Sequence, residues 1–167
     1  MVTEGREMPG GKLQSELKKR RPFERLEPEA VLNIARTADR FNICFSRLFR
    51  EFGLTPSQYN VLRILRGEGK PLPILEIAER MLAVVPGITG LIDRLEAQGL
   101  VCRERSTEDR RIIFVAITPR GTELLARLDE PEAALHKKLV GHLSADELGT
   151  LIRLLEKARQ APSAAAE

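Results

Sequence analysis

The sequence has no tryptophan, one tyrosine and only two histidines, and aromatic residues make up 4% of its 167 positions. The two histidines, His136 and His142, lie six apart with no cluster of carboxylates beside them. That spacing does not put two ligands on one helix face, so no metal site is expected. The glycine-rich phosphate loop, the nucleophile elbow and the HExxH pattern are all missing. With them goes the expectation of an enzyme or of a bound cofactor. There are two cysteines, Cys44 and Cys102, with no CxxC spacing, which argues against a disulfide scaffold or a thiolate zinc site. The longest uncharged run, Met81 to Ile92, has 12 residues and includes Pro86 and two glycines. A membrane span needs about 18 or more apolar residues, so no membrane partner is expected. Met1 to Gly10 is polar and lacks the apolar stretch of a signal peptide. These absences together point to a cytoplasmic protein with reduced thiols.

What is present suffices for a core: 43% of the residues are hydrophobic. The formal net charge is +3, and its location matters more than its size. Residues 1–25 hold seven Lys or Arg against four Glu, while residues 26–167 hold 20 of each sign. The excess therefore belongs to an N-terminal arm containing Lys18, Lys19, Arg20 and Arg21. Such a cluster suits phosphates or acidic surfaces, and equally a solvated, disordered tail.

Helical periodicity dominates the rest. From Leu26 to Glu51, Val31, Ile34, Ala38, Phe41, Phe45, Leu48 and Phe52 recur in steps of three and four, a heptad-like seam. Thr55, Pro56 and Gln58 read as a capped start of a second helix, which Gly67 should end. Ile74, Ile77, Ala78 and Met81 predict a third short helix. Ile88, Leu91, Ile92 and Leu95 predict a fourth from Pro86 to Gln98, with Gly99 as its left-handed stop. Residues 100–117 read as a β-hairpin whose tip holds Glu108, Asp109, Arg110 and Arg111 against the apolar run Ile112 to Ile117. Thr118 and Pro119 open a long helix that Pro131 should kink or break. Ser144 and Glu147 cap a last helix carrying Leu148, Leu151, Leu155 and Ala158.

Three short helices followed by a hairpin make a winged helix-turn-helix. The expected fold is therefore mainly α with a small β-hairpin wing, plus a helical dimerisation layer from the N- and C-terminal helices. The expected boundaries are a disordered basic arm at 1–25, a dimerisation helix at 26–53, a DNA-binding region at 54–121, C-terminal dimerisation helices at 122–160 and a disordered tail at 161–167. Val31, Ile34, Phe41, Leu151 and Leu155 are the candidate dimer contacts of a homodimer.

The run "GLIDRLEAQGLVCRERSTEDRRIIFVAITPRGTELL", Gly90 to Leu125, resembles the MarR family of transcriptional regulators. The family pattern Leu-Glu-x-x-Gly-Leu falls on Leu95, Glu96, Gly99 and Leu100. Its wing-tip Asp-x-Arg falls on Asp109 and Arg111. Its Leu-Thr-x-x-Gly falls on Thr118 and Gly121, with Ile117 where Leu is usual. The resemblance covers roughly Leu26 to Arg159. It implies a homodimeric regulator, a repressor by expectation, that binds a pseudo-palindromic operator in double-stranded DNA and leaves it when a small effector binds. It further implies that the wing tip, with Ser106, Asp109, Arg110 and Arg111, sends an arginine into the minor groove. There the narrow A·T-rich groove has an enhanced negative potential.

The fourth helix would enter the major groove. Gly87 and Gly90 leave room for close approach, Thr89 can meet a base edge or thymine methyl, and Arg94 a phosphate or the wing. Ser57 and Gln58 at a helix N-terminus can donate backbone N–H groups to a phosphate, or simply cap. Only Thr89 carries a hydrogen-bonding side chain between Ala83 and Asp93, which is the one feature favouring an alternative role as a protein–protein assembly module. Phe45, Phe49 and Tyr59 are candidates for a pocket taking a small aromatic or lipophilic effector, with core packing as the alternative. Cys44, within helical reach of Arg40 and Arg47, has two readings, a thiol-based redox sensor or an inert filler.

Overall fold

A computed structural model describes residues 12–83, 85–105 and 112–160. The chain divides into two units, residues 1–44 and 45–167. In the first, α1 (Lys12–Glu16) precedes the start of α2 (Leu26–Glu51). Leu13 of α1 is buried, and Glu16 accepts a 3.2 Å bond from Arg36 Nε of α2. The expectation of disorder through residue 25 is thereby corrected for residues 12–25. An apolar anchor and an ion pair order a stretch whose composition alone reads as a tail.

The second unit begins in the last turns of α2 and continues with α3 (Pro56–Glu68), β1 (Leu72–Pro73), α4 (Ile74–Glu79) and α5 (Ile88–Ala97). Strands β2 (Val101–Arg105) and β3 (Ile113–Ile117) follow, then α6 (Pro119–Val140) and α7 (Ala145–Arg159). The helix starts are chemically specified. Thr55 Oγ1 accepts from the Gln58 N–H while Gln58 Oε1 accepts from the Thr55 N–H, a complete capping box with Pro56 in the first turn. Ser144 and Glu147 repeat the device at α7, and Thr118 caps α6. The cap pulls the Glu147 carboxyl below its ordinary pKa, chiefly through the Ser144 backbone N–H. Helix α4 has Pro73 at its N-cap and no side-chain cap bond.

Four expectations are corrected. Helix α3 passes through Gly67 and stops at Gly69, whose left-handed backbone (φ 72°) lets its N–H reach the Leu65 carbonyl. The hairpin is part of a three-stranded antiparallel sheet of order β1-β3-β2, because Leu72 and Pro73 pair with Val115 and Phe114. Helix α5 begins at Ile88, after a left-handed Gly87. Helix α6 runs unbroken through Pro131. Contacts on both sides of the proline hold it: Asp129 takes a bidentate pair from Arg66, and Glu132 accepts from the Tyr59 hydroxyl at 2.6 Å.

The core gathers Val61, Leu62 and Leu65 of α3, Leu72, Ile77 of α4, Ile92 and Leu95 of α5, Val101 and Val115 of the sheet, and Leu125 and Leu128 of α6. All are essentially inaccessible to water. Truncating one of the leucines to alanine costs about 2–5 kcal/mol in such surroundings. The core thus fixes α5 against the sheet that carries the wing. No described helix is long and apolar enough to cross a membrane.

Candidate nucleic-acid interface

Helix α5 has two unlike faces. Leu91, Ile92 and Leu95 are buried and Ile88 packs beside them. Thr89, Asp93 and Arg94 are exposed on the other side. At Gly87 and Gly90 a Cβ atom would meet nothing within 4 Å. Neither glycine is there to admit a neighbouring helix of the same unit, so the bare surface at the start of α5 is open to an outside ligand. Gly87 has its own reason, a left-handed φ of 73° that makes it the N-cap. Gly99, also left-handed, ends the helix as expected and turns the chain into β2.

Arg103, on β2, ties that strand to α5. Its backbone N–H donates to Glu96 Oε1 at 3.1 Å, and its guanidinium donates to Glu96 Oε2 at 2.6 Å. The same guanidinium pairs with Asp93 at 2.6 Å and reaches the Thr89 carbonyl at 3.3 Å. Asp93 and Glu96 stand three apart, so one cation on the strand can reach both. Pairs as exposed as these contribute roughly 0.2–1 kcal/mol each, so their main effect is geometric. They hold the base of the wing at a fixed angle to α5. Reading the sequence singled out Arg94, which stays exposed, and passed over Arg103; the signal was the Asp93/Glu96 spacing opposite a basic strand residue.

The sheet is joined to α6 just as tightly. Thr118 Oγ1 donates to the Gly99 carbonyl at 2.7 Å, and the Thr118 N–H donates to the Leu100 carbonyl at 3.1 Å. A Cβ at Gly121 would lie 2.4 Å from the Leu100 carbonyl oxygen and 2.8 Å from Ile117 Cγ1. Only glycine lets α6 start this close to the hairpin.

Of the other candidates, Gln58 is buried and caps α3: its backbone N–H donates to Thr55 Oγ1 and so is not free for a phosphate, and its Oε1 accepts from the Thr55 N–H. Ser57 stays half-exposed beside it. Ser106, Asp109, Arg110 and Arg111 lie outside the described residues. Phe45, Phe49 and Tyr59 come together: Phe49 stacks on Tyr59 with centroids 4.2 Å apart and on Phe45 at 5.8 Å, and Phe45 meets His136 at 5.3 Å. Phe49 and Tyr59 are buried. Burial first, and then the bond to Glu132, push the Tyr59 hydroxyl well above its ordinary pKa. Cys44 and Cys102 are half-buried free thiols. Among the described residues, no group of three or more His, Cys, Asp or Glu is placed to hold a metal. Val31, Ile34 and Leu151 are exposed, with Val31 at 64%, while Phe41 and Leu155 are half-buried.

A sequence model of the MarR family matches residues 54–113, the stretch from α3 through the wing. The HTH-type regulator YkoM of Bacillus subtilis is 32% identical over 140 residues, covering 81% of this chain and 90% of its own. The crystal structure of a MarR transcription factor from Planctomyces limnophilus is 45% identical, covers 80% of this chain and 98% of that one, and superposes with a TM-score of 0.63. A cysteine-to-serine mutant of Escherichia coli MarR, solved with operator DNA, is 23% identical, covers 89% and 99%, and has a TM-score of 0.71; it shares the fold. The chain belongs to the MarR family and is a DNA-binding transcriptional regulator of the winged helix-turn-helix class.

Proposed function

We propose that the protein is a homodimeric repressor that binds a pseudo-palindromic operator and is released by a small aromatic or lipophilic effector. In this reading α5 lies in the major groove, with Thr89 at a base edge, Arg94 at a phosphate and Gly90 against the DNA surface. The wing tip enters the adjacent minor groove with Arg111, oriented by Asp109. Ser106 and Arg110 flank it, and Ser57 adds a backbone contact at the start of α3. The operator complex of the E. coli relative supports the general mode of binding. The exposed apolar residues of α2 and α7 support a dimer, in which Val31, Ile34, Phe41, Leu151 and Leu155 are buried across a two-fold axis. An effector would enter where Phe45, Phe49 and Tyr59 stack, displacing aromatic contacts that join α2 to α3.

The observation that carries the DNA-binding surface is the open face of α5 in front of Gly90. It gives a clean test. A leucine at position 90 meets no atom of the fold at its Cβ and removes a helix-interior glycine, so Gly90→Leu should leave stability unchanged or raise it by up to about 1 kcal/mol. The same side chain would stand between helix and groove, and affinity for DNA should fall at least about tenfold, some 1.4 kcal/mol. Thermal unfolding and fluorescence anisotropy read the two effects separately. A Gly90→Leu protein with full DNA affinity would remove α5 from the interface.

A further inference from the structure

The winged helix-turn-helix, residues 54–121, carries ten Lys or Arg against eight Asp or Glu, and a larger excess lies outside it. Residues 26–167 are balanced at 20 charges of each sign, and the whole excess of +3 lies in residues 1–25. Its densest part, Lys18 to Arg21, follows directly on α1 and is held in a defined turn. The Lys18 N–H donates to the Ser15 carbonyl at 3.1 Å and the Lys19 N–H to the Gln14 carbonyl at 3.0 Å. These are the two crossed bonds of a Schellman motif, whose turning residue takes a left-handed backbone and is usually glycine. Gly53, Gly69, Gly87 and Gly99 fill that conformation elsewhere in the chain. Here it is Lys18, with φ 51°, the one non-glycine among the described residues at positive φ. A Cβ is strained in that region, so the turn would be easier to form with glycine.

The neighbouring side chains complete the device. Lys19 Nζ donates to the Arg21 carbonyl at 2.7 Å and the Pro22 carbonyl at 3.0 Å, and lies 4.9 Å from the centre of the Phe23 ring. Its charge is used to organise the turn. Buried Leu13 and the Glu16–Arg36 pair anchor α1, from which the turn projects. Lys18, Arg20 and Arg21 are left exposed, and among the described residues no carboxylate pairs with them. Three cations on an ordered turn, one of them placed there against backbone preference, have the chemistry of a phosphate clamp.

We propose that the Lys18–Arg21 turn is a second DNA-contact site, at which Lys18, Arg20 and Arg21 neutralise backbone phosphates without reading base sequence. The proposal rests on the DNA-binding reading and adds a contact outside the winged helix-turn-helix. Its signature is in the salt dependence, because each neutralised phosphate contributes about 0.9 to the slope of log affinity against log salt. The probe is a fluorescent duplex of random sequence, titrated with the full chain at several salt concentrations. Replacing Lys18, Arg20 and Arg21 together by Gln should flatten the slope by up to about 2.7 per bound chain, with thermal unfolding unchanged. Lys18→Gly is the sharper variant. It relaxes the turn, so unfolding should occur at the same or a higher temperature, while the slope flattens by about 0.9 per chain. A purely structural lysine would give the first effect without the second. Wild-type binding with an unchanged slope in the triple variant would overturn the proposal alone. So would a triple variant that loses self-association while keeping its slope, since that assigns the turn to a protein surface. A wild-type chain with no salt-dependent affinity would overturn the DNA-binding reading and this site together.

Discussion

Arg103 and Tyr59 show what single side chains do in this fold. Arg103 makes four polar contacts to α5 from a strand of the wing, through Thr89, Asp93 and Glu96. Substituting Arg103→Gln should lower stability by about 1 kcal/mol or less, because both carboxylates are well exposed and screened. DNA affinity should fall by more, about tenfold, because wing and helix would no longer meet both grooves in one geometry. Equal losses in unfolding midpoint and in affinity would show that Arg103 acts on stability alone. Tyr59 predicts a pH effect. In the fold its hydroxyl proton is held by burial and by Glu132, so its pKa lies above that of an unfolded tyrosine, about 10. The unfolded chain therefore loses this proton first. Stability from the group is fully present below about pH 10 and declines as pH rises above it. Tyr59→Phe should be less stable near neutrality by about 1–2 kcal/mol, and its stability should fall less steeply above about pH 10. Urea midpoints for the two proteins across that range check the sign; parallel curves would contradict it.

At the level of elements, the local signals were legible and the long-range ones were not. The caps at Thr55, Thr118 and Ser144 and the stop at Gly99 depend on residues within one turn, and each stands where the sequence puts it. The inward stripe of α5 was legible for the same reason. Strand β1 was not, because two residues containing Pro73 have strand character only through Val115 and Phe114, some 40 positions away. Pro131 reads as a kink or a break, yet α6 continues through it, with Arg66 and Tyr59 of α3 holding Asp129 and Glu132 on either side. The turn at Lys18 was hidden because its left-handed residue is not glycine. At the candidate site, α5 and its glycines were found by pattern, and Arg103 was missed because its partners lie on another element. The outer helices carry their own prediction. Val31 on α2 and Leu151 on α7 are exposed in the single chain, so Val31→Asp or Leu151→Asp should change its folding by no more than about 0.5 kcal/mol. Either should disrupt a dimer that buries them. Sedimentation at micromolar concentration should give about twice 18.7 kDa for the wild type and a lower mass for the variants. A wild-type monomer would contradict the two-fold arrangement.

For the whole molecule, the parts combine into one expectation about DNA. A winged helix-turn-helix with one open helix face can read sequence only over a short half-site. Two copies related by a two-fold axis read two half-sites, and their recognition helices should meet successive major grooves about 34–36 Å apart. The basic turn near the N-terminus would strengthen binding to any duplex without changing the sequence preferred. Sequence preference thus belongs to the winged helix-turn-helix, and the turn adds phosphate attraction of its own. The measurement that tests this most directly is selection of the full chain's preferred sites from a pool of random duplexes, followed by footprinting on the enriched sequence. The account predicts a pseudo-palindrome with half-site centres one helical turn apart, both halves protected and two chains bound. Enrichment of a single asymmetric half-site, or no enrichment above the starting pool, would contradict it.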